Sequence, residues 1–169
     1  MHLDLSSTLN LISSVAIVAA LIFAALQVRQ ANVKRSDQAA VTLIQTLQSE
    51  RWTRALDLIG KLPENAQLSD IEQLGPEMRD ALFDLAVRLE TIGYMVFRRI
   101  VKLDAVDDLL GGATLVFWSR AKAWVHHMRV GTANPRFAEW CEWLASRVTE
   151  RHAKVGHGPA HTRYADWRE

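Results

Sequence analysis

From Leu5 to Val28 the chain runs for 24 residues without a formal charge, and Leu11 to Leu26 is almost unbroken Ile, Val, Ala, Leu and Phe. A helix rises about 1.5 Å per residue, so roughly 20 such residues cross a hydrocarbon core. Residues 9–28 are therefore predicted to form a transmembrane helix. Asn10, Ser13 and Ser14 dilute its start, but serine hydroxyls bond back to helix carbonyls and are tolerated inside membranes. A cleaved secretory signal would normally open with a basic stretch, whereas Asp4 is the only formal charge before Arg29. A helix buried in a soluble fold would keep a polar stripe, and this one is apolar all round.

Arg29, Lys34 and Arg35 follow the apolar segment, while only Asp4 and His2 precede it. Basic residues stay on the cytoplasmic side, which places the N-terminus outside and the body inside. The resulting organisation is residues 1–28 as the N-terminal segment, 29–154 as a cytoplasmic helical domain and 155–169 as a flexible tail.

The charge balance limits what the body binds. Twenty Lys and Arg against 19 Asp and Glu leave a formal net charge of +1, far from the clustered positive field that phosphate neutralisation requires. Nucleic acid is not an expected partner. One cysteine closes no internal disulfide, so the body needs no oxidising compartment.

No period-2 segment long enough for a strand is present, and the body reads as all-α: a transmembrane helix continuing into a juxtamembrane helix, then a small helical bundle. Between the span and Gly60 there is no Pro or Gly, so the first helix is predicted to continue to about Ile59. Along it Ala40, Ile44, Leu47, Ala55, Leu58 and Leu62 keep the helical period, with Arg51 interrupting. Such a stripe packs on its own domain or pairs two copies through residues 30–59.

Residues 61–76 read as a connector in which Ser69 and Glu72 have capping-box spacing for one short helix. Pro76 suits the first position of a helix to about Lys102, with Met78, Leu82, Leu85, Leu89, Gly93, Val96 and Ile100 in one apolar row. Beside it run Phe83, Val87, Glu90, Tyr94 and Phe97, and Asp84 and Arg88 stand at pairing distance on the polar side. A short helix from Leu103 is predicted to stop at Gly111-Gly112. Another covers Thr114 to Arg129, with Trp118, Ala121, Val125 and Met128 on one face. Asn134 as N-cap and Pro135 as first residue open a last helix to about His152, with the stripe Phe137, Cys141, Leu144 and Val148.

Catalytic signals are sparse. Cys141 with His126 or His127 has the residue types of a nucleophile and base, but the stripe places Cys141 in the core as a small hydrophobe. His152, His157 and His161 match no zinc-site pattern, Asp107 and Asp108 diverge by about 100° on a helix and read as a solvated face, and no phosphate-binding glycine loop occurs. No metal and no cofactor is expected. Glu90, Arg129 and Glu142 stand out as charges among apolar neighbours, and buried charges need partners. Arg129 is predicted to bridge one of the two carboxylates, as an ion pair that docks helices or as the polar part of a pocket. Of the six tryptophans, Trp118, Trp124, Trp140 and Trp143 lie in the last two helices, as core or interface. Arg98, Arg99 and Lys102 read as a solvated helix end that anionic lipid would also attract.

The order Glu90-Thr91-Ile92-Gly93, Leu103-Asp104, Leu109-Leu110-Gly111, Trp118, Arg129, Asn134-Pro135-Arg136-Phe137 and Glu142-Trp143-Leu144 resembles a bacterial family of membrane-anchored helical proteins known only as a domain of unknown function. Gln27-Val28-Arg29-Gln30 after the apolar segment is similar too. The chain departs from the pattern at Cys141, where the family leads one to expect an aromatic residue. The resemblance implies a single-pass anchor in the bacterial inner membrane, a cytoplasmic helical domain and no established activity or cofactor. Besides the lipid bilayer, the expected partner is a protein or a second copy, contacted as an adaptor, scaffold or regulatory subunit. The rival expectation is a membrane-tethered enzyme with a polar pocket around Glu90 and Arg129.

Overall fold

A computed structural model describes residues 5–47, 49–155 and 160–168. Among the described residues the fold is all-α, with no strand, and the chain divides into two compact units, residues 1–39 and 40–169. α1 (Leu5–Leu47) contains, within the first unit, the apolar stretch Ser13–Ala31, whose mean hydropathy is 1.7 and none of which is buried. Val15, Leu21 and Phe23 are exposed.

The single helix expected to reach Ile59 is instead two. α1 ends at Leu47, and Ser49 adopts an extended backbone and starts α2 (Glu50–Gly60), its hydroxyl accepting from the Trp52 N–H at 3.3 Å. A serine N-cap ends one helix and begins the next without Pro or Gly. The side chains of Ala40, Ile44 and Leu47 lie outside those described. Ala55 and Leu62, from the other end of the same stripe, are buried in the second unit.

The connector carries α3 (Leu68–Gln73), capped by Gln67 and Asp70 rather than by Ser69 and Glu72: the Gln67 N–H donates to the Asp70 carboxylate at 2.8 Å. Gly75, at φ 80, turns the chain into α4 (Pro76–Phe97). This helix stops five residues before Lys102, the end expected from the pattern, because Arg99 takes a left-handed conformation at φ 56 and Lys102 is already the extended N-cap of the next helix. Ile100 therefore leaves the apolar row and is exposed, while Met78, Leu82, Leu85, Leu89, Gly93 and Val96 are buried as the periodicity requires.

The two helices expected around Gly111-Gly112 are one, α5 (Leu103–Gly131). A glycine ends a helix only by going left-handed, and both remain helical. Gly111 is instead a clearance, since a methyl group there would overlap the Asp107 carboxylate and touch His152. The last long helix, α6 (Glu139–Val155), begins later than the Asn134-Pro135 signal indicated. The Asn134 side chain caps only its own turn, accepting from the Arg136 N–H at 3.3 Å, and Ala133 and Ala138 take left-handed conformations at φ 50 and 55. Ala160–Arg163 form a single helical turn, α7.

α4 is the central element of the second unit, packing against α2, α3, α5 and α6, while α5 and α6 also pack on each other. Ile59, Leu82, Leu85, Phe117, Trp124, Val125, Leu144 and Val148 fill the space between them. Arg120 closes the end of α2, donating to the carbonyls of Ile59 (3.2 Å), Gly60 and Leu62 (2.6 Å).

Candidate functional site

The residues that stood out in the sequence meet where α4, α5 and the start of α6 join. α6 begins without a side-chain cap of its own, and its first N–H groups need acceptors from elsewhere. Glu90 of α4 supplies one: its carboxylate accepts from the N–H groups of Trp140 at 2.8 Å and Cys141 at 2.9 Å. One turn further along α4, Gly93 lies against the Trp140 backbone carbonyl, where any side chain would collide. The two helices are thus in backbone contact at this point.

Arg129 of α5 completes the junction. Its guanidinium donates to the Phe137 carbonyl at 2.8 Å, the Ala138 carbonyl at 3.3 Å and the Glu142 carboxylate at 2.7 Å. Of the two carboxylates open to it by sequence, Arg129 ion-pairs with Glu142 and leaves Glu90 to the backbone of α6. Burial pushes the Glu90 carboxyl above its ordinary value of 4.5, an effect opposed by the Cys141 and Trp140 N–H groups and by the Arg129 charge.

A carboxyl raised in this way binds its proton more tightly folded than unfolded. It favours the folded state most below its unfolded value, and that contribution is lost as pH rises through the folded value. Relative to a Glu90→Gln variant, the natural protein is expected to gain stability as pH falls from neutral toward 4.5. Denaturant unfolding of both proteins across that window checks it, and a gap that stays constant would show that Glu90 does not titrate differently on folding.

Aromatic rings roof the α4–α6 seam on either side of Glu90. Phe83 packs edge-on to Trp124 at 5.0 Å and Phe137 at 5.8 Å between centroids. Beyond Glu90, Trp140 meets Phe97 at 4.5 Å and Tyr94 at 5.7 Å, and Trp143 joins Phe97 and Trp140. Trp124 is core, Trp140 and Trp143 are half-buried, and Trp118 is half-buried elsewhere on α5 beside His126. The outer row of α4 is uncovered, with Val87 58% and Phe97 51% exposed.

Cys141 is fully buried, and burial raises its thiol pKa far above the ordinary range, so it is a packing residue with no access to substrate. His126 and His127 are exposed. His152 is bonded to Asp107 at 2.6 Å, His161 is exposed and His157 lies outside the described residues.

Asp107 itself overturns the solvated-face expectation. It is buried, bonded to both His152 and Arg151 (2.9 Å), while Arg151 reaches on to Asp104 at 2.8 Å. The sequence held one signal for this pair of helices: Gly111 one turn after Asp107, a glycine where no turn is made. Asp108 is exposed, as expected.

Among the described residues, cavities open on the surface at two places away from this junction. One of about 260 Å³ lies between α2 and α4, where Arg51 pairs with Asp84 at 3.1 Å and Arg54 with Glu77 at 3.2 Å; Asp84 also holds Arg88 at 2.8 Å, the pairing expected from their spacing. The other, of about 510 Å³, lies among Asp108, His161, Tyr164 and Trp167. Neither is lined by Glu90 or Arg129.

This geometry defines a class: an all-α domain that follows an exposed apolar helix in sequence, its charged residues tying helix to helix. The chain belongs to the family described as a domain of unknown function, DUF4760, which matches residues 14–148. No curated protein and no solved structure matches it.

Proposed function

We propose that this protein is a single-pass subunit of the bacterial inner membrane whose helical domain acts at the cytoplasmic face through contacts, as an adaptor, scaffold or regulatory component. The observation that carries this reading is the 19-residue apolar helix Ser13–Ala31, unburied along its whole length. Such a surface is stable in hydrocarbon and not in water. The family match begins at residue 14, so nearly all of the apolar segment falls within the family's domain, which supports an anchor over a cleaved signal. Arg29 at its end supports a cytoplasmic body.

The alternative is a membrane-tethered enzyme with Glu90 and Arg129 in its pocket. The engagement of Glu90 with the first N–H groups of α6, and of Arg129 with the Phe137 and Ala138 carbonyls and the Glu142 carboxylate, favours the contact reading, because groups bonded within their own fold have less to offer a substrate. The partner is a second protein or a second copy paired through residues 30–59.

Mild-detergent purification of the tagged full-length protein, with native mass measurement, tests this. The expected result is a complex of fixed stoichiometry. A homo-oligomer that Leu47→Glu dissociates assigns self-association, and a monomer without any partner would overturn the contact reading.

A further inference from the structure

Resting on the reading of α1 as a membrane anchor, we propose that the C-terminal end of α4, with the start of α6 beside it, is a second membrane contact: a docking edge for the surface of an anionic bilayer. Tyr94, Phe97 and Ile100 are exposed there, and Trp140 and Trp143 are half-buried against them. Within five residues of Phe97 stand Arg98, Arg99 and Lys102, all exposed. Aromatic rings that pair an apolar body with a polar rim settle at the headgroup level, and long basic side chains reach from an apolar surface to phosphate.

Charge complementarity selects the lipid. The carboxylates around this edge are already engaged: Glu90 by the N–H groups of α6, Glu142 by Arg129, Glu139 by Arg136 at 2.6 Å and Asp104 by Arg151. Among the described residues, none of Arg98, Arg99 and Lys102 is ion-paired. Arg98 instead lies over the Tyr94 ring at 5.9 Å, which holds a cation beside the aromatic group. The other end of the same exposed row, at Phe83 and Val87, has no such excess, because Arg51, Arg54 and Arg88 stand among Glu77, Asp80 and Asp84.

Aromatic residues and arginine also suit a protein interface, but the centre of such an interface is depleted of charge; three cations without an ion-pair partner beside the aromatic row fit a surface dense in phosphate better. A tether that keeps the domain at the bilayer raises its effective concentration there, so modest intrinsic affinity is enough to hold the edge down.

Full-length protein reconstituted into nanodiscs tests the idea, with an environment-sensitive fluorophore on Ile100→Cys. The native Cys141 is buried and its thiol stays protonated, so labelling is selective. In discs containing phosphatidylglycerol the probe is expected to shift to the blue and resist an aqueous quencher, reversibly with salt. Replacing Arg98, Arg99 and Lys102 together with Gln is expected to lower the ratio of docked to free protein roughly a hundredfold, at about fivefold for each basic residue.

Identical spectra in phosphatidylglycerol and pure phosphatidylcholine discs would overturn the proposal. So would a shift in both lipids that grows with the number of copies per disc, which would mean a second copy covers the face. Protein recovered free of discs would fail the anchor reading and this one with it, whereas protein held in discs with a charge-independent probe fails this one alone.

Discussion

Replacing Gly93 with alanine is expected to destabilise the helical domain by about 2–3 kcal/mol, the upper part of the range for forcing an extra group into a packed contact. The added methyl would occupy the position of the Trp140 backbone carbonyl, and a carbonyl inside a helix cannot swing aside as a side chain can. The helices must separate. Separation would also stretch the two bonds from Trp140 and Cys141 to Glu90, which lies one turn away on α4. Two effects therefore act in the same direction at one point of the fold.

Gly112 is the control, since nothing lies within 4 Å of a Cβ built there and it sits inside α5. Alanine at Gly112 is expected to raise stability by roughly 0.5–1 kcal/mol through helix propensity alone. Thermal unfolding of the two variants, followed by tryptophan fluorescence in detergent, should move their midpoints in opposite directions. A Gly93→Ala protein as stable as the parent would mean that α4 and α6 are not in backbone contact.

These two glycines also mark where the sequence could and could not be read. Periodicity located the helical stretches of the body and the buried row of α4, because burial on one face of a helix repeats with the backbone and needs only local information. The boundaries were harder. Gly111-Gly112 has the composition of a helix stop, yet what Gly111 does depends on a carboxylate one turn back that is held by Arg151 and His152 of α6, and those partners are a long-range fact. The start of α6 shows the same limit. Asn134-Pro135 is a sound local signal for a helix start, but the acceptor that caps α6 is Glu90, about 50 positions earlier in the chain. Ser49 is the converse case, a local N-cap hidden in a stretch free of Pro and Gly. For the charged site, the sequence supplied Glu90, Arg129 and Glu142 as unusual charges. It did not supply their division of labour, because which carboxylate meets Arg129 is set by how three helices cross. Asp107 went unread for the same reason, its partners lying 44 and 45 residues away.

Truncation of Arg129 is the sharper test of what that charged junction does. Arg129→Ala is expected to cost about 3 kcal/mol, because it removes three donors at once and leaves two carbonyls and the Glu142 carboxylate without them. Glu142→Gln should cost about 1 kcal/mol or less: that side chain is 38% exposed, so water replaces much of what the ion pair supplied. Arg129→Lys should recover less than half of the loss. A lysine ammonium is a single point of charge and cannot hold the Phe137 carbonyl, the Ala138 carbonyl and a carboxylate in the fork that a guanidinium presents.

The ordering of the three variants separates the two readings of the site. Residues kept for a ligand are commonly held at some expense to the fold, so removing them leaves stability unchanged or raises it. Residues kept to dock helices give the graded loss described here. Urea unfolding of the three proteins measures it, and an Arg129→Ala variant at or above parental stability would return Glu90 and Arg129 to the list of pocket residues and favour the membrane-tethered enzyme.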